Sequence, residues 1–245
     1  MSPPDAAILT GTRLVEIVLR HGRRKPVEIV VLKEGSARGL SRVVRLAEET
    51  RIPVRWLDAD VMHEFTGRPS AEIAAVLGER EALRTEDLLT DDAAPALVLV
   101  LEGIEDPHNL GDILRTALAA RVDLVILDEH AGAMPRDLLA RSSAAASECL
   151  PLVFTGNLAN ELDVLHARRV TTTAAVPTGG ENLFEARFPE RLAPVVGGEH
   201  RGLSKRVLDK CRRRVTIPTS PEVQSLSAAS SAAVMLFEVV RKRGG

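Results

Sequence analysis

Residues 97–118, LVLVLEGIEDPHNLGDILRTAL, are the stretch that decides the fold. The apolar run at its start predicts a buried strand, Asp106-Pro107 predicts a turn, and apolar residues at helical spacing follow. Gly111 precedes Arg115 by one helical turn, so the pattern predicts that the two share a helix face. Glycine inside a helix costs about 1 kcal/mol relative to alanine, which indicates a need for space beside the guanidinium. A solvated arginine on an ordinary helix explains the same pattern.

The composition is that of a globular protein without a strong charge. The chain has 245 residues, of which 45% are hydrophobic and 27% charged, and its formal net charge is -2. Such a balance provides no overall attraction to nucleic acid, so local patches must bind any polyanionic partner. The 5 Phe, 1 Trp and absence of Tyr argue against RNA-binding modules that stack bases on aromatic platforms.

Cysteine usage and hydropathy predict a cytoplasmic protein. Cys149 and Cys211 are far apart, and neither has a second cysteine nearby, which is typical of a reducing compartment rather than a disulfide framework or a metal site. The first residues lack the pattern of a signal peptide, and no apolar run approaches about 18 residues. The sequence therefore predicts no membrane span and no metal.

Residues 1–80 predict a small α/β domain. Apolar spacing predicts helices near residues 14–19 and 40–47, and β-rich runs predict strands at 27–32 and 53–57. Asp58 is the expected N-cap of a third helix, and residues 71–77 are interpreted as a short helical stretch.

Two groups of basic residues in this domain have two explanations. One explanation is a phosphate-binding face, and the other is a solvated helix surface with interspersed glutamates. The residues are His21, Arg23, Arg24, Lys25, Arg38, Arg42 and Arg45.

Residues 81–95 predict an acidic linker, and residues 96–245 predict a second α/β domain. Its short buried strands alternate with helical stretches, which predicts a mostly parallel sheet covered on both faces. The predicted strands are 97–101, 122–127, 150–154, 170–175 and 193–196. Ligands of such sheets collect at the carboxyl ends of the strands, so we expect the polar and glycine-rich residues after these strands to form a site.

The stretch 194–204, PVVGGEHRGLS, places glycines directly after a strand. Glycine allows a ligand to approach the backbone closely, and Glu199 follows. The spacing fits neither a dinucleotide-binding fingerprint nor a P-loop. A tight strand-to-helix turn with a surface glutamate remains the alternative.

The stretch 217–234, IPTSPEVQSLSAASSAAV, predicts a strand end, a polar loop and a helix capped near Ser225. Small residues keep this helix thin, which suits close packing against a backbone or a second subunit. An ordinary core helix is the alternative. The expected apolar seam consists of Leu226, Ala229, Ala233, Leu236 and Val240.

Together and in this order, the three stretches resemble the SpoU family of RNA ribose 2′-O-methyltransferases, within the SPOUT superfamily. The family motifs N-x-G-x-x-x-R, G-x-E-x-x-G and I-P followed by S-L-N are matched by Asn109, Gly111 and Arg115, by Gly197, Glu199 and Gly202, and by Ile217, Pro218, Ser225 and Leu226. The resemblance is greatest to the bacterial 23S rRNA guanosine 2′-O-methyltransferase subgroup. Residues 1–80 look like the L30e-like RNA substrate-binding domain of some members.

The resemblance implies a trefoil-knot methyltransferase domain, a homodimer, and S-adenosylmethionine as the methyl donor for a ribose 2′-hydroxyl. The implied cofactor-binding residues are Gly197, Gly198, Ile217, Leu226 and Ser227, and the implied catalytic residues are Arg115, Asn109, Glu199 and Ser225. Because arginine stays protonated far above neutral pH, we expect Arg115 to bind a phosphate and polarise the hydroxyl rather than act as a base.

Two departures from the family pattern keep the substrate open. Ser227 stands where the family has Asn, and Arg68-Pro69-Ser70-Ala71 stands where relatives carry His-Gln-Gly. The expected substrate is 23S rRNA. A tRNA substrate, or a catalytically weak RNA-binding or assembly factor on the same scaffold, remains an alternative.

Overall fold

The structure is a computed structural model that describes residues 7–198, 200–223 and 225–244. The chain divides into two compact units, one comprising residues up to Glu81 together with Pro135–Cys149, the other Ala82–Met134 together with the chain from Leu150 onward. In chain order the elements are β1 (Ala7–Thr10), α1 (Thr12–His21), β2 (Pro26–Leu32), α2 (Leu40–Glu49), β3 (Val54–Leu57), α3 (Ala59–Thr66), β4 (Ile73–Leu77), α4 (Thr85–Leu88), β5 (Ala96–Glu102), α5 (Pro107–Ala119), β6 (Leu124–Asp128), α6 (Glu129–Gly132), α7 (Arg136–Ser142), α8 (Ala146–Cys149), β7 (Leu152–Thr155), α9 (Leu158–Ala167), β8 (Thr171–Ala175), β9 (Glu181–Asn182), β10 (Arg191–Gly197), α10 (Lys205–Lys210), β11 (Arg213–Thr216) and α11 (Ala228–Lys242).

The first unit is a four-stranded mixed sheet in the order β1-β4-β2-β3. Strand β4 is antiparallel to both β1 and β2, and β3 runs parallel to β2. Helices α1 and α2 contact each other and bury one side of the sheet, while α3 packs against β2 with Met62 in a second apolar cluster. The predicted small α/β domain is therefore present, with helices and strands close to the predicted places.

The prediction of a helical stretch over residues 71–77 is wrong, because Ile73–Leu77 forms the central strand β4. All five residues of β4 are buried, and each edge of the strand pairs with a neighbour. Hydrogen bonds to two strands outweigh the helix preference of its alanines, which is below 1 kcal/mol per residue.

Asp58 is the N-cap residue of α3, as the sequence predicts. Its side chain, however, makes no capping hydrogen bond, and instead accepts one from Lys33 Nζ at 2.9 Å. The N-cap position of Asp58 is predicted by the local sequence, whereas its hydrogen-bond partner, Lys33, directly follows the neighbouring strand β2.

A buried charge cluster joins α8 to the rest of the first unit. Glu148 is 2% exposed and pairs with Arg80 at 2.7 Å and with Arg24 at 3.8 Å. Arg24 also donates hydrogen bonds to the carbonyl oxygens of Leu77 and Gly78. Arg24 therefore holds the fold of this unit together and does not belong to a phosphate-binding face.

Two of the other basic residues on this unit form ion pairs as well. Arg42 pairs with Glu16, and Arg45 lies 3.9 Å from Glu49. Both observations fit the interpretation of a solvated helix surface better than that of a phosphate-binding face, because each arginine already has a carboxylate partner.

The second unit is a seven-stranded sheet in the order β7-β6-β5-β10-β8-β11-β9, and all of its strand pairs are parallel. Helices α5 and α11 pack together, with α11 also against β10, while α9 contacts β6 and β8 and α10 packs on α9. The expected mostly parallel sheet with helical cover is thus confirmed.

Strand β10 lies between β5 and β8, although it follows both of them in the chain. Its last residue, Gly197, is the pairing partner of Glu102 at the end of β5. Because parallel strands all point the same way, this insertion brings the loops after β5, β8, β10 and β11 to one edge of the sheet.

Helix α11 begins later than predicted, and its buried face differs. The N-cap is Ser227, whose Oγ accepts the backbone N–H of Ser230 at 3.1 Å, and not Ser225. Packing against α5 and β10 buries a seam of Ala228, Ala232, Met235, Leu236 and Val239. Of the predicted seam only Leu236 is buried.

The acidic stretch between the two predicted domains contains the short helix α4. Thr85 is 1% exposed and donates its hydroxyl to Glu161 at 2.7 Å, so this stretch packs against the second unit. Among the described residues, no helix is both long and apolar enough to span a bilayer.

Candidate functional site

Two adjoining cavities lie at the carboxyl edge of the parallel sheet. The first has a volume of about 360 Å³ and the second about 410 Å³. The loops after β5, β8, β10 and β11 line them, which is where the sequence places the ligand site of such a sheet.

The first cavity is lined mainly by glycine backbone and apolar side chains. Its lining residues are Ala175, Val176, Pro177, Val196, Gly197, Gly198, Arg201, Gly202, Leu203, Leu208, Ile217, Thr219, Ser225, Leu226, Ala228 and Ser231. Its volume is in the range of small-molecule sites. An apolar wall with exposed backbone groups suits a flat heterocycle that forms hydrogen bonds along its edge.

Glycine is required at two positions of this wall. A Cβ on Gly198 would lie 1.9 Å from the carbonyl oxygen of Gly103, and a Cβ on Gly197 would lie 2.3 Å from the carbonyl carbon of Gly202. Both neighbours are backbone atoms and cannot swing away. The glycines therefore allow the loop after β10 to approach the loop after β5 and its own return segment.

Backbone and side-chain hydrogen bonds fix this loop. Gly198 donates its N–H to the carbonyl oxygen of Glu102 at 2.8 Å, and Gly202 donates to Gly198 at 2.9 Å. The Glu102 carboxylate accepts the N–H of Ser204 at 2.8 Å. Gly202, with φ +60°, adopts the left-handed conformation that glycine tolerates best. The end of β5 therefore anchors Gly198 and Ser204, the residues on either side of this turn.

The second cavity lies at the N-terminus of α5. It is lined by Gly103, Ile104, Glu105, Asp106, Pro107, Asn109, Gly198, His200, Arg201, Gly202 and Ala228. Asp106 caps α5 by accepting the backbone N–H groups of His108 at 3.1 Å and Asn109 at 3.3 Å. Asn109 is consequently held in the first turn of the helix, at the cavity wall.

The two cavities share part of their wall, formed by Gly198, Arg201, Gly202 and Ala228. Ligands bound in the two cavities would therefore lie next to each other. Such an arrangement suits the transfer of a group from one bound molecule to another, because it holds the reactants in proximity.

The structure does not place Arg115 at either cavity. Gly111 and Arg115 both lie within the continuous helix α5, four residues apart and therefore on one face as predicted, with Gly111 buried and Arg115 exposed. In the described part of the chain, the Arg115 side chain makes no hydrogen bond or ion pair.

The structure brings together most of the other predicted site residues. Gly197, Gly198, Ile217, Ser225 and Leu226 line the first cavity.

Asn109 lines the second cavity. Ser227 lines neither, since its hydroxyl caps α11. Glu199 lies outside the described residues.

Sequence reasoning missed two parts of the cavity wall. The segment 175–177 contributes apolar surface from the end of β8, and Arg201 contributes a cation. The signal for Arg201 was present in the PVVGGEHRGLS stretch, where it follows the glycine turn by three residues. Only the fold shows that it faces both cavities.

Neither cysteine is poised for nucleophilic chemistry. Burial raises the pKa of Cys149 to about 11 and that of Cys211 to about 12. Both thiols are therefore protonated at neutral pH, and the thiolate is the reactive form. Among the described residues, no three His, Cys, Asp or Glu side chains cluster as metal ligands would.

Comparisons with known proteins agree with both units of this architecture. The sequence profile described as the SpoU rRNA Methylase family matches residues 96–237, and the profile described as RNA 2′-O ribose methyltransferase substrate binding matches residues 8–81.

Similar curated proteins span both predicted domains. The chain is 32% identical over 240 residues to the 23S rRNA (guanosine-2′-O-)-methyltransferase RlmB of Pseudomonas putida, covering 95% of each chain. It is 30% identical over 237 residues to a putative TrmH family tRNA/rRNA methyltransferase of Staphylococcus aureus, covering 93% of this chain and 96% of the relative.

Two solved structures show the fold. The SpoU methyltransferase AviRb from Streptomyces viridochromogenes, in complex with AdoMet, superposes with a TM-score of 0.82 at 23% identity, covering 97% of this chain and 90% of its own. A structure described as showing 2-OH methylation on tRNA superposes with a TM-score of 0.54 at 30% identity, covering 61% of this chain and 97% of its own.

Proposed function

The chain belongs to the SpoU rRNA methylase family, and from this we propose that it transfers the methyl group of S-adenosylmethionine to a ribose 2′-hydroxyl of 23S rRNA. The observation that carries the proposal is the shared wall between the two cavities. A donor in the first cavity and an acceptor ribose in the second meet there.

The residues of the first cavity fit S-adenosylmethionine. Gly197 and Gly198 carry no side chain, and a Cβ at either position would clash with neighbouring backbone atoms. Their backbone groups are therefore available to an adenosine. Ile217 and Leu226 supply apolar surface for its ring. The similar fold of AviRb was solved in complex with AdoMet, which supports the same donor for this chain. Bound S-adenosylmethionine supplies an electrophilic methyl group on a sulfonium sulfur.

The chain's own groups position the acceptor. Asn109, whose backbone N–H is held by the Asp106 cap, lines the second cavity, and we assign it to contact with the acceptor nucleotide. We assign Glu199 and Ser225 to the orientation of acceptor and donor, because the family motifs place them beside the glycine turn and the cofactor loop. The rate advantage then comes from holding the hydroxyl within about 3–3.5 Å of the methyl carbon.

Arg115 requires a second copy of the chain in this proposal. It is exposed and lines neither cavity of its own chain. On the packed helices α5 and α11, Leu118 is 39% and Phe237 is 48% exposed, which leaves apolar surface for a homodimer contact. Arg115 lies one turn from Leu118 on α5, so we propose that it lies at this contact and acts on RNA bound to the partner.

Ser227 does not favour the alternative of a catalytically weak RNA-binding factor. Its hydroxyl caps α11, and serine and asparagine are about equally good N-caps. The replacement of the family's Asn therefore preserves the start of the helix beside the first cavity. The other departure from the family pattern, Arg68-Pro69-Ser70-Ala71 in place of His-Gln-Gly, belongs to the predicted substrate-binding domain. It therefore bears on RNA recognition rather than on methyl transfer.

A tRNA substrate is the second candidate. The S. aureus relative is named for both tRNA and rRNA, and the structure described for tRNA methylation covers only 61% of this chain. RlmB, which spans both predicted domains, is named for 23S rRNA alone, and this favours 23S rRNA. A 23S rRNA substrate would place the protein in the cytoplasm. The domain boundaries, 1–80, 81–95 and 96–245, remain a prediction.

The experiment that tests this function is methyl transfer from radiolabelled S-adenosylmethionine to deproteinised 23S rRNA, 16S rRNA and tRNA from cells lacking the protein. We expect label in 23S rRNA at one ribose 2′-oxygen. Label only in tRNA would select the second candidate, and RNA binding without label would select the binding factor.

Two arginine variants test the role of Arg115 in the same assay. We expect Arg115→Ala to lose most turnover and Arg115→Lys to keep part of it, with Arg206→Ala as a control on the exposed surface of α10. Near-normal turnover by Arg115→Ala would remove Arg115 from the mechanism.

A further inference from the structure

Arg201 lies on the wall that separates the two cavities and faces both of them. The other residues of the shared wall are Gly198, Gly202 and Ala228, none of which carries a charge. Among the described lining residues of the first cavity, Arg201 is the only charged side chain. Its position therefore introduces a positive charge at the point where donor and acceptor would meet.

Backbone hydrogen bonds hold the described residues that follow Arg201, while its side chain is available to a ligand. Gly202 donates its N–H to Gly198 at 2.9 Å, and Ser204 donates to the Glu102 carboxylate at 2.8 Å. The Arg201 side chain is exposed, and within the described residues it makes no hydrogen bond or ion pair. All five N–H donors of the guanidinium are therefore open to a ligand.

The charges around the second cavity call for such a cation. Glu105 and Asp106 both line it, and the Asp106 carboxylate accepts two backbone N–H groups. A polyanion entering beside two carboxylates is repelled unless a cation lies close to it. Arg201 is the described side chain that supplies a permanent positive charge at this wall.

The acceptor has an anion at a fixed place. In RNA, the carbon next to the one that bears the 2′-hydroxyl carries the 3′-phosphodiester, so the phosphate lies close to the reacting oxygen. With the methyl donor in the first cavity and the ribose in the second, this phosphodiester passes along the shared wall. From this geometry, which rests on the proposed function, we infer that Arg201 binds the phosphodiester of the methylated nucleotide.

A second anion could compete for the same guanidinium, namely the carboxylate of the methionine part of S-adenosylmethionine. Arg201 faces both cavities, so position alone does not separate the two ligands. The planar fork of arginine matches either group bidentately. The two cases differ in which dissociation constant depends on Arg201, and the test is built on that difference.

The test compares wild type with Arg201→Ala, Arg201→Gln and Arg201→Lys, and with Arg206→Ala as the matched control. Calorimetry measures the dissociation constant of S-adenosylhomocysteine, and filter binding measures that of deproteinised 23S rRNA at several salt concentrations. We expect Arg201→Ala and Arg201→Gln to weaken RNA binding by about 10- to 100-fold, the usual range for a hydrogen bond to a charged group. Arg201→Lys keeps the charge but not the fork, and its loss is smaller.

The salt dependence identifies the lost contact as a phosphate. Removing one phosphate contact reduces the slope of log K against log salt by about 0.7 to 0.9. We expect this reduction for Arg201→Ala and Arg201→Gln and none for Arg206→Ala. Affinity for S-adenosylhomocysteine should remain within about 2-fold of wild type, because one phosphate contact contributes nothing to it.

Two results would overturn the inference. Unchanged RNA affinity and salt slope in both uncharged variants would show that Arg201 does not contact phosphate. Weaker S-adenosylhomocysteine binding with an unchanged salt slope would assign Arg201 to the carboxylate of the donor. Failure of wild type to methylate RNA would instead overturn the proposed function, and this outcome is distinct because the binding measurements need no turnover.

Discussion

Replacing Gly198 with alanine should disrupt the first cavity directly. The added Cβ would lie 1.9 Å from the carbonyl oxygen of Gly103 and 2.7 Å from its carbonyl carbon. An ordinary contact needs about 3.4 Å or more, so the ends of β5 and β10 must separate by well over 1 Å. That movement breaks the hydrogen bond from Gly198 to Glu102, which is 2.8 Å long.

The expected cost follows from these contacts. Overpacking of this kind costs about 3 kcal/mol, and a lost backbone hydrogen bond adds about 1 kcal/mol. For a chain of this size we therefore expect the melting temperature to fall by roughly 8–16 °C. We also expect affinity for S-adenosylhomocysteine to fall at least about 10-fold, because the displaced backbone forms the cavity wall.

Gly67→Ala is the matched control. Gly67 has φ +63° at the end of α3, and a Cβ there would meet no atom within 4 Å. Its cost is backbone strain alone, about 1–2 kcal/mol, with unchanged ligand affinity. Calorimetry and thermal melting measure both variants. If Gly198→Ala bound S-adenosylhomocysteine as tightly as wild type, the argument that this glycine shapes a donor cavity would be refuted.

Three further predictions concern helix α11. Hydrogen bonds from Arg241 and Lys242 hold the pKa of the Glu238 carboxyl at about 2. The carboxylate therefore stabilises the fold above its unfolded pKa near 4.5, and this stabilisation is lost as the pH falls toward 2. Melting curves of Glu238→Gln should lack this pH-dependent loss of stability, and a pH profile identical to that of wild type would contradict the prediction. Lys242→Met leaves the carbonyl oxygens to which Nζ donates without a partner, and should cost about 1–3 kcal/mol in denaturant unfolding, whereas an unchanged midpoint would show that water replaces the ammonium. Ser227→Ala should cost about 1 kcal/mol and Ser227→Asn almost nothing; equal losses in thermal melts would show that the cap is unimportant.

The strand, turn and helix of residues 97–118 could be predicted because their signals are local. The apolar run and the Asp106-Pro107 pair correspond to β5 and the capped start of α5. The meeting of glycine-rich loops at one edge could also be predicted, since it follows from parallel strands alone. This pattern predicts a site at Gly198, whereas the place of Leu226 in the same site is implied by the resemblance to the SpoU family.

Features that depend on distant residues could not be predicted. Strand β4 has a composition compatible with a helix, and only its two neighbours make it a strand. Residues 135–149 belong to the first unit because Glu148 is buried against Arg24 and Arg80, more than 60 positions earlier in the chain. The role of Arg201 likewise depends on the wall that two cavities share, which no spacing in the sequence encodes.

The most direct test of the account is a crystal structure of the protein with bound S-adenosylhomocysteine. We expect the ligand in the first cavity, against the backbone of Gly198 and the side chains of Ile217 and Leu226, with its sulfur toward the wall that carries Arg201. A ligand bound elsewhere, or in this cavity with its sulfur turned away from the second one, would contradict the account.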